Sequence, residues 1–207
     1  ETRFSVVRYG NVMGSRGSVI PFFKELAAKG ESLPITDPRM TRFWITLPQA
    51  VQFVVDSFDS MVGGELYVPR IPSMRILDLV EAVAPGSKTH TVGIRPGEKL
   101  HEEMITPSDS PNTVDLGPYY AILQAGTKVQ DYLDRRQAIA VDPDFSYNSG
   151  SNPDFLSVEQ IRALGERAGF AEVFPIGAVT VGLEGKQLSE IGAMANSAAQ
   201  VKVFSDD

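Results

Sequence analysis

A glycine-rich stretch between an apolar run and an amphipathic run constrains the fold of this chain more than any other feature. The stretch RYGNVMGSRGSVIPFF follows FSVV and leads into PFFKELAAKG, an order that predicts a strand, a loop and a helix. Its glycines, at 10, 14 and 17, lack the spacing of the dinucleotide fingerprint and of the Walker loop. The spacing alone leaves a surface turn and a ligand loop equally open, within an α/β fold.

Charge and cysteine content exclude several classes of protein. The 207 residues carry a formal net charge of −7, which argues against nucleic acid or an anionic membrane as a main partner. With no cysteine, the chain has no disulfide, no thiol nucleophile and no thiolate zinc site.

No apolar run approaches the roughly 18 residues of a membrane span. No signal peptide is visible, so a cytoplasmic location is expected. Both ends fall beside strand-like segments, and we expect both to be cut.

The side chains that most often perform catalysis do not form a known constellation in this sequence. His90 and His101 lie on different predicted elements, so a metal site centred on them is disfavoured. There is no G-x-S-x-G nucleophile motif. None of the candidate tyrosines begins a Tyr-x-x-x-Lys pair, namely Tyr9, Tyr119, Tyr120 and Tyr132. We therefore predict no catalytic residue in this chain.

The arginines are the more informative group. Arg39 and Arg42 enclose the dipeptide MT just before FWI, and Arg95 opens RPGE. Guanidinium groups suit phosphate oxygens because they donate two parallel hydrogen bonds. The turn after Arg95 would hold it beside Glu98, whose carboxylate can accept from ribose hydroxyls. Surface ion pairing is the alternative, and spacing alone does not exclude it.

Four ordered segments together resemble one family. They are RYGNVMGSRGSVIPFF, LPITDPRMTRFWIT, GGELYVPRIPSMRILDL and IRPGEKLHEEMI. They resemble the C-terminal half of inverting UDP-N-acetylglucosamine 4,6-dehydratases, which are extended short-chain dehydrogenase/reductases of polysaccharide biosynthesis. The resemblance covers about residues 1–155. It implies an incomplete, Rossmann-like substrate-binding half that takes UDP-N-acetylglucosamine or a related UDP-sugar. In the parent family it implies NADP and a homo-oligomer.

The resemblance also implies roles for individual residues. It gives the diphosphate to Arg42 and Arg95, and the uridine ribose to Glu98. Asn11 would touch the sugar nucleotide from the end of a strand, so we expect both arginines to point into one cleft with Asn11. The full set of implied substrate-binding residues is Asn11, Val19, Ile20, Arg42, Arg95 and Glu98.

The resemblance also identifies parts of the family pattern that this sequence lacks. Members oxidise C4 of the sugar, eliminate water across C5–C6 and return hydride to C6 with inversion at C5. They hold NADP on a glycine fingerprint and use a Tyr-x-x-x-Lys pair, and this sequence contains neither. We therefore expect no turnover by this chain alone and assign it no cofactor-binding residue. We also expect exposed apolar surface and a tendency to associate.

The last fifty residues resemble a different family. The segment from Val158 to the end, with its strand, helix and strand pattern, resembles an internal piece of a type I dihydroorotase, an amidohydrolase with a TIM-type barrel. The resemblance implies that Asp206 or Asp207 matches a metal-site aspartate. The histidines of that family are absent, and a piece of this length cannot close a barrel. Solvated aspartates at a cut end are the favoured interpretation.

These resemblances predict two parts, residues 1–156 and 157–207. The Ser/Asn/Gly/Pro stretch YNSGSNPD suits a linker, so we expect few buried contacts across the boundary and protease cleavage between Tyr147 and Ser157. Three functions stay open: the substrate-binding part of a dehydratase, a dihydroorotase-derived hydrolase, and a non-catalytic nucleotide-binding α/β module.

Overall fold

The computed structural model describes residues 2–15, 18–127, 129–136, 138–167, 176–178 and 203–205. The chain divides into two compact units, Glu1–Ala168 and Gly169–Asp207, and each is described by itself. No helix among the described residues is long and apolar enough to cross a membrane. The described helices of the first unit are α1 (Val19–Ala28), α2 (Leu47–Ser60), α3 (Ile76–Val83), α4 (Val129–Arg136), α5 (Val158–Arg167) and a 3₁₀ helix at Pro107–Asn112.

The strands of the first unit are short. They are β1 (Val6–Val7), β2 (Asn11–Val12), β3 (Leu33–Ile35), β4 (Thr41–Ile45), β5 (Leu66–Pro69), β6 (Ser73–Arg75), β7 (Thr89–Thr91), β8 (Glu103–Ile105), β9 (Thr113–Asp115), β10 (Tyr119–Ile122), β11 (Ile139–Ala140) and β12 (Tyr147–Asn148).

Parallel and antiparallel pairing are mixed in these sheets. The larger sheet has the order β1-β5-β10-β9-β11, in which β1 and β5 run parallel and the other neighbours antiparallel. The sheet β2-β4-β6 joins a parallel pair, β2-β4, to an antiparallel pair, β4-β6. Two further pairs are β3-β7, parallel, and β8-β12, antiparallel. The unit is therefore a mixed α/β fold, which confirms the predicted class at that level.

Strand β4 separates two apolar cores. Its side chains alternate between the faces of the sheet, so Trp44 packs with Met74 in one core, whereas Phe43 and Ile45 pack in another. The first core is covered by helices α1, α3 and α5, through side chains such as Phe23, Leu79 and Ile161. The Arg42 and Trp44 side chains therefore share the face of β4 that these helices cover.

Two glycines of the glycine-rich stretch, Gly10 and Gly14, are required by the backbone geometry. A Cβ at Gly10 would lie 2.6 Å from the Cβ of Phe43 and 2.7 Å from its carbonyl oxygen, so only glycine permits this approach to β4. Gly14 has φ +74°, a left-handed conformation that favours glycine. Gly17 lies outside the described residues. The loop therefore turns tightly after β2 and enters α1.

The predicted boundary between residues 156 and 157 does not coincide with the end of the first unit, which runs to Ala168. Helix α5 packs on α3, and its Ile161 is only 2% exposed. The predicted linker is also packed, because Leu156 is buried and the Asn152 side-chain amide donates to the Ile71 carbonyl at 3.0 Å. The composition of YNSGSNPD suggested a linker, but its Tyr147, Ser149 and Asn152 side chains are hydrogen-bonded to the body of the unit.

The second unit is described only at two strands. They are β13 (Ile176–Ala178) and β14 (Val203–Ser205), and they pair in parallel. Parallel pairing agrees with the predicted strand, helix and strand order. The predicted helix between them, Asp206 and Asp207 lie outside the described residues.

Candidate functional site

A cavity of about 360 Å³ opens between the glycine-rich loop, the start of α1 and the helix-covered face of the sheet β2-β4-β6. The parallel pairing places Asn11 beside Trp44, and the antiparallel pairing places Arg42 beside Met74. Residues in register point to the same face of a sheet, so four side chains from three strands face one space. The lining residues are Asn11, Val12, Gly14, Ser15, Ser18, Val19, Thr36, Met40, Arg42, Trp44, Met74, Ile76 and Glu98.

Of the predicted substrate-binding residues, Asn11, Val19, Arg42 and Glu98 line this cavity. Ile20, which follows Val19 in α1, is buried in the apolar core and does not line the cavity. The side chain of Arg95 is exposed, and it does not line the cavity either. Arg42 therefore lines the same cavity as Asn11, whereas Arg95 does not, and their roles in substrate binding stay predictions.

The Arg42 guanidinium is held in place by the backbone. Its Nη1 donates to the carbonyl oxygens of Thr41 at 2.7 Å and of Leu100 at 3.2 Å, and its Nε lies 3.5 Å from Oε1 of Glu102. The side chain is 15% exposed. Within the part of the chain that the structure describes, Nη2 has no hydrogen-bond partner. A positioned cation with free donors is suited to an anionic oxygen.

The Glu98 carboxylate is fixed by two donors. The Thr36 hydroxyl donates to Oε1 at 3.3 Å, and the backbone N–H of Arg95 donates to Oε2 at 3.2 Å. Arg95 thus meets Glu98 through its backbone, across the turn that contains Gly97. Each carboxylate oxygen has a second lone pair, so Glu98 can still accept from a ligand hydroxyl.

A buried network of hydroxyl groups holds the backbone segment that contacts Arg42. The Thr41 Oγ1 lies 2.8 Å from Ser149 Oγ and 2.8 Å from His101 Nδ1. Ser149 Oγ also accepts from the backbone N–H of Glu102 at 2.8 Å. These bonds fix the Leu100–Glu102 segment, which supplies two of the contacts to Arg42. Ser149 lies far from Arg42 in sequence, so no local pattern could have identified it.

A second cavity, of about 420 Å³, lies around Tyr147 and was not predicted. The Tyr147 hydroxyl accepts from the N–H of Ile71 at 2.9 Å and donates to its carbonyl at 2.8 Å. Burial is the main reason that the pKa of Tyr147 rises to about 12. Its hydroxyl therefore stays protonated at neutral pH and acts as a structural donor.

The described residues contain no group of three or more His, Asp or Glu side chains that could hold a metal ion. His90 lies 3.0 Å from the Ser32 hydroxyl at an exposed position, and His101 belongs to the hydroxyl network. The two histidines therefore have separate polar partners.

Comparison with known proteins shows the family to which the chain belongs. The profile of the family described as "Polysaccharide biosynthesis protein" matches residues 1–124, and the chain belongs to this family. Over 168 residues it is 49% identical to a UDP-N-acetylglucosamine 4,6-dehydratase (inverting) of Campylobacter jejuni, covering 78% of this chain and 50% of that protein. A UDP-glucose 4-epimerase of Rickettsia canadensis is 34% identical over 171 residues, covering 79% and 49%.

A solved structure with a similar fold supports the comparison. The X-ray structure of Pen from Bacillus thuringiensis matches with a TM-score of 0.68 and 31% identity, over 81% of this chain and 51% of that one. The chain thus spans about half the length of the curated relatives that it matches. These findings support the predicted dehydratase relationship. They do not support the predicted dihydroorotase resemblance, which stays a prediction.

Proposed function

We propose that this chain is the sugar-nucleotide-binding portion of a C5-inverting UDP-N-acetylglucosamine 4,6-dehydratase. The observation that carries the proposal is the cavity that brings Asn11, Arg42 and Glu98 together. These residues come from a strand end, a strand and a distant turn, and the resemblance relates all of them to one ligand. The 49% identity to a dehydratase of that name supports the same substrate class.

Arg42, Glu98 and Asn11 each match the chemistry of a different part of the ligand. The free Nη2 of Arg42 donates to a diphosphate oxygen, and its backbone contacts keep the guanidinium oriented at little entropic cost. Glu98 accepts from a ribose hydroxyl with its remaining lone pairs. The Asn11 amide can both donate and accept, which suits a sugar hydroxyl.

The glycine-rich loop does not have the geometry of a dinucleotide-binding turn, so we assign it no role in holding the NADP of the parent family. The space beside Gly10 is filled by the backbone and side chain of Phe43, and the loop after it turns into the cavity that holds Arg42. These two features give the loop a role in sheet packing and in lining the cavity. Hydride chemistry belongs to the nicotinamide, so we assign this chain binding and orientation of the sugar nucleotide and no chemical step.

Calorimetric titration of the full chain with UDP-N-acetylglucosamine tests the proposal. Arg42→Ala should weaken binding about 10- to 100-fold, the range expected for a lost charge-assisted hydrogen bond to an anion. Arg39→Ala is the matched control, because Arg39 is exposed, pairs with Asp37 and does not line the cavity. It should change the affinity less than about twofold.

Two results would overturn this assignment. One is the absence of any heat from UDP-N-acetylglucosamine or UDP at high ligand concentration. The other is an equal loss of affinity in both arginine variants, which would place the ligand elsewhere. A companion assay with UDP-N-acetylglucosamine and NADP should give no 4-keto-6-deoxy product from this chain alone.

A further inference from the structure

Trp44 has an unpaired polar atom in an apolar environment. Its side chain is 5% exposed and packs in the core that contains Met40 and Met74. Its Nε1 is buried and has no hydrogen-bond partner among the described residues. A buried N–H without a partner is costly and rare in native proteins. Such an atom therefore indicates a partner outside the described residues.

The position of Trp44 indicates where that partner lies. Trp44 lines the cavity, pairs in register with Asn11, and follows Arg42 by two positions on the same face of β4. Ser18, at the start of α1, lines the same cavity, and its buried Oγ also has no partner in the described part of the chain. Two unpaired polar groups thus line one cavity.

The order of groups along the cavity distinguishes the parts of a ligand. Arg42 and Glu98 also line a neighbouring opening, and Trp44 does not. Trp44 therefore lies away from that opening, about 7 Å along the strand from Arg42. If Glu98 holds the ribose and Arg42 the diphosphate, Trp44 faces the sugar attached to the far end of the diphosphate.

We propose that the Trp44 indole N–H donates a hydrogen bond to an oxygen of the sugar portion of the bound UDP-sugar, with Ser18 as a second polar contact. The inference rests on the proposed function, because it takes the orientation of the ligand from it. An indole nitrogen only donates, so its partner is an acceptor such as a sugar hydroxyl or an amide carbonyl. Trp44 is in this sense a specificity-determining residue, since a ligand that lacks the acceptor leaves its N–H unpaired.

The experiment uses the fact that Trp44 is the sole tryptophan of the chain. In a ¹H–¹⁵N correlation spectrum the indole N–H gives one separate signal. Titration with UDP-N-acetylglucosamine should move its proton downfield, as a new hydrogen bond does, whereas titration with UDP should leave it nearly unchanged. Trp44→Phe keeps an aromatic ring and removes the N–H. It should weaken UDP-N-acetylglucosamine about tenfold and UDP less than about twofold.

The different failures can be distinguished. If the wild type binds neither ligand, the proposed function and this inference are both wrong. If UDP-N-acetylglucosamine binds but the indole signal does not move, Trp44 is only a core residue and the proposed function stands. Equal weakening of both ligands in Trp44→Phe would move the contact to the nucleotide portion and overturn the sugar assignment. Should Trp44→Phe not fold, the wild-type spectrum decides.

Discussion

Helices α2 and α3 begin from similar patterns and end in different surroundings. In α3 the apolar stripe is covered. Its Ile76, Leu79 and Val80 pack in a core to which α1 and α5 also contribute side chains. In α2 the inner side chains Ala50 and Phe53 are buried. Several outer ones are exposed although they are apolar, namely Val51, Val54, Val55 and Phe58.

The difference shows that periodicity identifies apolar positions and not what covers them. Phe53 and Phe58 are both apolar residues of α2, yet Phe53 is 7% exposed and Phe58 is 72% exposed. A helix that is apolar on opposite faces is normally covered on both. The exposed apolar surface expected from the sequence is therefore present on α2, and its effect on association stays a prediction.

The largest expected effect separates the two faces of α2. Phe53→Ala should lower the free energy of unfolding by about 3–5 kcal/mol, because it leaves a cavity in the core. Phe58→Ala removes the same atoms from an exposed position and should cost less than about 1 kcal/mol. Urea denaturation of the two variants measures both values. Equal losses would mean that the outer face of α2 is covered in solution.

A second effect concerns the buried Glu65, which joins the turn after α2 to the chain before β1. Burial raises the pKa of its carboxyl, but donors from the Ser5 hydroxyl and the backbone of Val62 and Gly63 outweigh it, so the pKa lies below its usual value. The resulting stabilisation is complete above the usual glutamate pKa. It is lost as the pH falls through the lower pKa of the folded protein.

Glu65→Gln should therefore lower stability at pH 7 by about 1–3 kcal/mol and flatten the loss of stability on acidification. Thermal melts of both proteins across acidic pH test this. The exposed Asp59→Asn is a surface control that should stay close to wild type. A wild-type profile that does not decline on acidification would contradict the assigned role of Glu65.

The smallest effect compares the two helix starts. Thr46 caps α2 in a reciprocal pair with Gln49, whereas Ser18 precedes α1 without a side-chain capping bond. Thr46→Ala should cost about 1 kcal/mol, and Ser18→Ala only a few tenths. Chemical denaturation distinguishes the variants. A large stability loss in Ser18→Ala would show that its hydroxyl supports the fold and would leave it no role at the cavity.

Local patterns and the resemblance together predicted Arg42 and Glu98, a guanidinium before FWI and a carboxylate after a Pro-Gly turn. Both line the cavity, and their roles in binding stay predictions. Arg95 and Ile20 were assigned by the same resemblance, and neither lines it. Motif position identifies which segment approaches a ligand, whereas the direction of each side chain depends on backbone geometry.

Trp44 and Ser149 show the opposite case. Trp44 stands in a quoted motif, but only the pairing of β4 with β2 places it beside Asn11 and the cavity. Ser149 stands in a stretch whose composition suggested a linker, yet it is buried against Thr41. Their importance depends on partners that are distant in sequence.

The sequence by itself determined the α/β class, the strand, glycine loop and helix at the start, and the family, because each depends on neighbours within a few residues or on ordered motifs. Only the tertiary structure decided which predicted residues meet in one cavity, that α5 and the segment before it belong to the first unit, and that one face of α2 is exposed. Those outcomes depend on long-range packing, where the burial of a side chain is set by the elements that happen to cover it.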